Sequence, residues 1–142
     1  MALTEQEQQE RRSAMREIML ATPYIAGLGV VAEQWDADGV RLRLPFDPRL
    51  TNDGHVLHGG AVASLVDTAG ASAVFAGHDF DKGARAATVS MTVNFTGAGR
   101  DTDLIANARC VRRGRDLSFA EIDVLGPDGR LVATGSLVYR IV

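Results

Sequence analysis

One carboxylate stands alone in an apolar run. Asp67 is the only charged residue between Gly60 and Gly77, and a carboxylate inside such a run costs several kcal/mol unless something partners it. Either a neighbouring hydroxyl or a facing sheet satisfies the acid, or burial tunes it as a general base or nucleophile. Just upstream, His58-Gly59-Gly60 sets two glycines where the run begins. The first N–H groups of a helix have no partner within it, and glycine leaves them open to a carbonyl oxygen drawn to the positive end of the dipole. Such a start either forms an oxyanion site or simply permits a tight loop-to-helix turn. Gly59 and Asp67 are eight residues apart, roughly 12 Å along a helix at about 1.5 Å per residue. They cannot serve one carbonyl within one chain. A two-fold dimer with antiparallel helices would bring Asp67 of one subunit beside Gly59 of the other.

Other residues with chemical potential are fewer. Arg109, Arg112, Arg113 and Arg115 gather around Gly114, which reads either as a solvated hairpin tip or as a grip for phosphates, whose geometry suits guanidinium pairs. His55 and His58 have no nearby Cys or third His to complete a metal set, so no metal is expected. Trp35, Phe46, Phe75 and Phe80 are expected in the core or at a subunit contact.

The elements that must position these residues follow from pattern. Residues 5–21 turn from polar to apolar, with Met15, Ile18, Met19 and Leu20 at helical spacing. Thr4 followed by Glu7 is a capping-box signature, and Pro23 is expected to end this helix. Gly29–Trp35, a turn at Asp36–Gly39 and the alternating Val40–Leu44 predict a hairpin. Gly60–Gly77, rich in alanine and apolar on nearly every side, predicts a buried helix. A polar loop over Gly77–Arg85 leads to four strand-like runs, Ala86–Phe95, Leu104–Arg113, Leu117–Leu125 and Leu131–Tyr139, separated by Gly/Asp turns. The resulting class is α+β, an antiparallel sheet of five to six strands wrapped around one long central helix, with an N-terminal helix beside it. Residues 1–24 form that helix and a linker; residues 25–142 form the domain.

Composition narrows the function classes. The chain has 142 residues, 46% of them hydrophobic and 23% charged, too apolar for disorder and of a length that fits one domain. A net charge of −3 and the lack of basic–aromatic interleaving argue against nucleic acid. Cys110 is the single cysteine, the start of the chain has no basic or apolar leader, and Ser64, Asp67, Thr68 and Ser72 interrupt the longest apolar stretch. These features point to no disulfide framework, no membrane association and a reduced, cytoplasmic location.

The segment Asn52-Asp53-Gly54-His55-Val56-Leu57-His58-Gly59-Gly60, then Asp67, then Thr88-Val89-Ser90-Met91-Thr92-Val93-Asn94-Phe95 closely resembles the hotdog-fold acyl-CoA thioesterases. The nearest clade is that of the phenylacetate-degradation thioesterases and thioesterase superfamily member 2, and the similarity runs from about residue 25 to the C-terminus. The resemblance implies a homodimer or homotetramer with sites at the dimer interface. It implies that the Gly59 N–H polarises the thioester carbonyl, Asn52 positions substrate or water, and Asp67 of the partner acts as nucleophile or general base. Ser90 would hold the attacking water, and His58 would brace the Asn52 loop. Gly60, Thr68, Arg113, Gly114 and Arg115 would contact substrate, the two arginines gripping the coenzyme A phosphates. Neither metal nor cofactor is then required, because a thiolate leaves without strong acid assistance and coenzyme A belongs to the substrate. Where the family commonly has a Pro-containing bend after Phe95, this chain has Thr96-Gly97-Ala98-Gly99, in a loop that often shapes the substrate channel.

Two alternatives compete. A hotdog dehydratase or hydratase needs a His base near the helix, and Gly60–Gly77 holds none. A non-catalytic acyl-CoA-binding protein would keep Asp67 as a structural acid and bind without turnover.

Overall fold

In the computed structural model, which describes residues 1–142, the apolar run forms helix α3, Gly59–Phe75. Twelve of its 17 residues are buried, because it is covered on two sides. One flank meets a six-stranded sheet, and helices α1 (Glu5–Ala21) and α2 (Pro23–Leu28) cover part of the other. No helix is long and apolar enough to cross a membrane.

The strands are β1 (Val31–Asp36), β2 (Gly39–Leu44), β3 (Ala86–Phe95), β4 (Leu104–Arg113), β5 (Leu117–Leu125) and β6 (Leu131–Ile141). They lie in the order β1-β2-β4-β5-β6-β3, every neighbouring pair antiparallel. Alternation along each strand gives the sheet two unlike faces. Leu42, Leu44, Ala106, Ile122, Val124 and Leu137 are among the buried residues that make the core under α3. Two glycines set how near the helix lies. A Cβ at Gly135 would stand 2.5 Å from Val66 Cγ1, and one at Gly70 would stand 3.0 Å from Ile122 Cδ1. Any larger residue at Gly135 would push helix and sheet apart.

This is the hotdog fold, and α3 runs Gly59–Phe75 where the sequence expectation was Gly60–Gly77; three more departures lie elsewhere. Pro23 does not merely end α1. It opens α2 from the first helical position, where its fixed φ and missing N–H cost nothing. Gly29 then closes α2 in the left-handed conformation (φ 78°), so β1 starts at Val31 rather than Gly29. β6 runs on to Ile141.

The N-terminal helix neither lies on the sheet nor hangs free. It keeps the expected capping box and docks on the turn that follows α3. Gln8 is its one buried residue. The Gln8 Nε2 donates to Asp79 Oδ1 (2.8 Å), and its Oε1 accepts from the Phe80 N–H (2.8 Å). Arg12 Nε donates to the His78 carbonyl (3.0 Å) and the Leu3 N–H to Asp81 Oδ1 (2.9 Å).

β3 occupies a sheet edge with one long side unpaired. Val89 (56%), Met91 (38%) and Phe95 (55%) are exposed along it, an apolar edge of a kind that natural proteins cover.

Candidate active site

The start of α3 is built by His58. Its backbone is extended (φ −61°, ψ 138°), and its N–H donates to the Leu50 carbonyl (2.8 Å). Its carbonyl accepts from the N–H groups of Ala61 (2.9 Å) and Val62 (3.1 Å). The ring completes the cap, with Nδ1 accepting from the Gly60 N–H at 2.7 Å, which places the imidazole proton on Nε2. The His58 backbone is thus tied to Leu50, two residues before Asn52, while the ring serves the helix. Of the two glycine donors, Gly60 is spent on that ring. The Gly59 N–H has no partner in the chain and is the donor left open.

Beside Gly59 lies an open cleft of about 410 Å³, bordered by Val56, Val62, Phe95, Ala98 and Val132. The Phe95 ring is so near that a Cβ on Gly59 would touch it at 3.6 Å. The Thr96–Gly99 loop forms one wall of this cleft.

Asp67 stands eight residues beyond Gly59 on the helix and is half-buried. Its Oδ1 accepts a 2.6 Å hydrogen bond from the Thr88 hydroxyl, so a hydroxyl on the sheet does partner the acid. Ser90 is not that hydroxyl. The pairing of β3 with β6 shifts between Thr88, opposite Tyr139, and Ser90, opposite Val138. That bulge at Val89 puts Thr88 and Ser90 on opposite faces, since paired residues share a face. Tyr139 is buried beside Thr88, and burial, then the negative charge of Asp67, push its phenol up to about 12. Thr68 is buried in α3 next to Asp67.

The loop before α3 is held at several points. Asp53 accepts from the N–H groups of His55 and Val56 (2.9 Å each), and these backbone bonds hold its carboxyl below the usual range. The Asn52 N–H donates to the Val56 carbonyl (2.9 Å), and its side chain is exposed. His55 Nδ1 meets Asp101 Oδ1 at 2.8 Å. The Leu57 N–H donates to Gly99 O (2.9 Å) and the Asp101 N–H to His55 O (2.8 Å). The Asn52 loop and the wall of the cleft are thus one tied unit, and the two imidazoles have separate partners.

Arg113 reaches back from its strand to the end of α3. Its Nη1 donates to Val74 O (2.7 Å) and its Nη2 to Ala73 O (3.3 Å), satisfying carbonyls at the negative end of α3. Gly114 makes the turn tight, its N–H donating to Leu117 O at 2.7 Å where a Cβ would come within 2.6 Å. Arg109 pairs with Glu121 (2.8 Å), while Arg115 is almost fully exposed. Lys82, Arg113 and Arg115 border a small cleft there, about 24 Å from Gly59 by the length of a 17-residue helix.

Thr88, Phe95 and Tyr139 were absent from the expected site. Thr88 stood in the motif, but only the bulge separates it from Ser90.

Comparison with known proteins agrees with this fold. Residues 54–133 match the family model of the thioesterase superfamily. A candidate esterase of Halobacterium salinarum is 40% identical over 103 residues, covering 70% of this chain and 68% of that protein. The crystal structure of zebrafish thioesterase superfamily member 2 is 25% identical with a TM-score of 0.75, covering 99% of this chain and all of that one. A hypothetical thioesterase of Streptococcus pneumoniae, solved with coenzyme A, shares the fold at 20% identity and a TM-score of 0.74, covering 90% of this chain and 96% of that one. A hotdog sheet around a glycine-started helix, matched over more than half the chain, makes this protein a member of the thioesterase superfamily.

Proposed function

We propose that this protein hydrolyses acyl-coenzyme A thioesters to a free carboxylic acid and coenzyme A, in two sites shared across a homodimer. One observation carries the reading. The Gly59 N–H is an open donor at the positive end of α3, and Asp67 is a carboxylate held by one hydroxyl at a fixed distance along the same helix.

The thioester carbonyl oxygen would lie against the Gly59 N–H, which stabilises negative charge there as the tetrahedral intermediate forms. Asp67 of the other subunit supplies the acid. As a general base, it takes a proton from water while the water oxygen attacks the carbonyl carbon. The C–S bond then breaks, and the thiolate takes up the proton. As a nucleophile, it displaces the coenzyme A thiolate, breaking the C–S bond to form an acyl-enzyme anhydride. Water then opens the anhydride to the free acid and the regenerated carboxylate, one released proton going to the thiolate. Asn52, its side chain exposed at the loop before the helix, would orient substrate or water.

The exposed apolar edge of β3 supports pairing with a second copy. An antiparallel arrangement of two α3 helices would also bring the C-terminal end of one to the N-terminal end of the other. Arg115, Lys82 and Arg113 of one subunit would then face phosphates of a substrate bound at Gly59 of its partner. The coenzyme A carried by the streptococcal relative is consistent with that ligand. The apolar cleft at Phe95 suits an apolar acyl group.

The test is thiol release from acetyl- through palmitoyl-CoA, with phenylacetyl- and benzoyl-CoA, by wild type and Asp67→Asn. Removing a general base costs about 10²- to 10⁴-fold, so the variant should be nearly silent while folding and binding persist. Full activity in Asp67→Asn, or a folded wild type silent across the panel, would overturn the reading.

A further inference from the structure

The register of β3 and β6 sets Tyr139 opposite Thr88, on the face of the sheet that meets α3. Thr88 gives its hydroxyl to Asp67 Oδ1, and Oδ2 of the same carboxylate has no partner in the chain. Tyr139 is 8% exposed. Its ring stands edge-on to Phe75, with centroids 5.8 Å apart at 73°, so its position is fixed by packing. Yet its hydroxyl donates to no group of the chain. The hydroxyl is not sealed from solvent, since the fully enclosed side-chain polar atoms without a partner are Trp35 Nε1 and Ser72 Oγ, so a water can reach it where phenylalanine would offer no donor.

Asp67 is the one charge that raises the Tyr139 phenol besides burial itself. Its cross-strand partners Thr88 and Ser118 carry no charge, and Phe75 presents only its ring. The hydroxyl therefore remains a donor across the whole neutral range.

We propose that Tyr139 is a positioning residue for Asp67, its phenol donating through one water to the carboxylate oxygen that Thr88 leaves open. Thr88 and Tyr139 then hold the two oxygens of Asp67 from neighbouring strands, which fixes the plane of the carboxylate relative to α3. The functional part of this proposal rests on Asp67 being the reacting acid. The hydrogen-bonded arrangement does not.

The test is Tyr139→Phe, which keeps the ring against Phe75. Asp67 is titrated by carbon-13 NMR of its carboxyl group in wild type and variant, and thiol release is followed over pH. A donor to a carboxylate favours its charged form, so loss of the phenol should move the Asp67 midpoint upward by about half a unit or more. In the active enzyme kcat should fall about tenfold with KM held, as for one charge-assisted bond made through water. The acid limb of the pH profile should move upward with the NMR midpoint. An unmoved Asp67 midpoint overturns the proposal, whether or not kcat falls, since a fall alone would be a packing effect. If wild type hydrolyses no acyl-CoA while the midpoint still moves, the contact stands and the thioesterase reading falls.

Discussion

Gly59→Pro should remove one N–H from α3 and almost nothing else. Gly59 is the first residue of the helix, the position where proline is best tolerated because its N–H is unpaired in any case. The residue before proline must be extended, and His58 already is, at φ −61° and ψ 138°. A Cβ at position 59 would meet only the Phe95 ring, at an ordinary 3.6 Å. The variant should therefore fold, with stability unchanged or raised by about 0.4–1 kcal/mol through a stiffer unfolded chain. For a chain of this size that is a rise in Tm of roughly 1–4 °C. Because Gly60 is committed to the His58 ring, Gly59 is the open glycine donor, and kcat should fall about 10²- to 10³-fold, as for deletion of one oxyanion donor. Gly59→Ala is the control, since it adds the same Cβ and keeps the N–H; its activity should stay within about tenfold of wild type. The assays are thermal melting by circular dichroism and thiol release. Wild-type kcat in Gly59→Pro would refute the donor role. An equal loss in a folded Gly59→Ala would assign the effect to bulk beside Phe95 instead.

Two further outcomes follow from the same geometry. Mixing inactive Gly59→Pro and Asp67→Asn subunits should restore part of the activity, because one of the two sites of the heterodimer would keep both groups; no rescue despite demonstrated subunit exchange would mean that sites are not shared. The second concerns His78, whose imidazole burial holds below its ordinary value of 6.5. The unfolded chain then takes up that proton first, so the contribution to stability is whole above about 6.5 and is lost as pH falls from there through the folded value. The urea midpoint should fall more between pH 8 and 5 in wild type than in His78→Gln, and equal slopes would exclude His78 as the source.

Much of the arrangement is legible in the sequence. The Thr4–Glu7 box bounded α1, and the Gly/Asp turns bounded β3, β4 and β5, because caps and turns are local and act within a few residues. The two-glycine start and the solitary Asp67 likewise announced themselves by type and spacing. Pro23 misled only in direction, since a proline that stops one helix is equally suited to start the next.

What the chain alone determined was therefore the menu: six strands, a buried helix, an open helix start and an acid too far along that helix to share its carbonyl. The folded arrangement decided which groups answer one another. Alternation along Thr88-Val89-Ser90 would put both hydroxyls on one face, and the bulge that separates them exists only in the pairing of β3 with β6. Arg113 read as a free cation until the fold brought it to the carbonyls of Val74 and Ala73. Tyr139 had no signal at all, being one apolar position in the last strand. Sequence pattern reports the contacts a residue makes with its near neighbours in the chain. Partnership across a sheet depends on register, and register is set by the packing of the whole core.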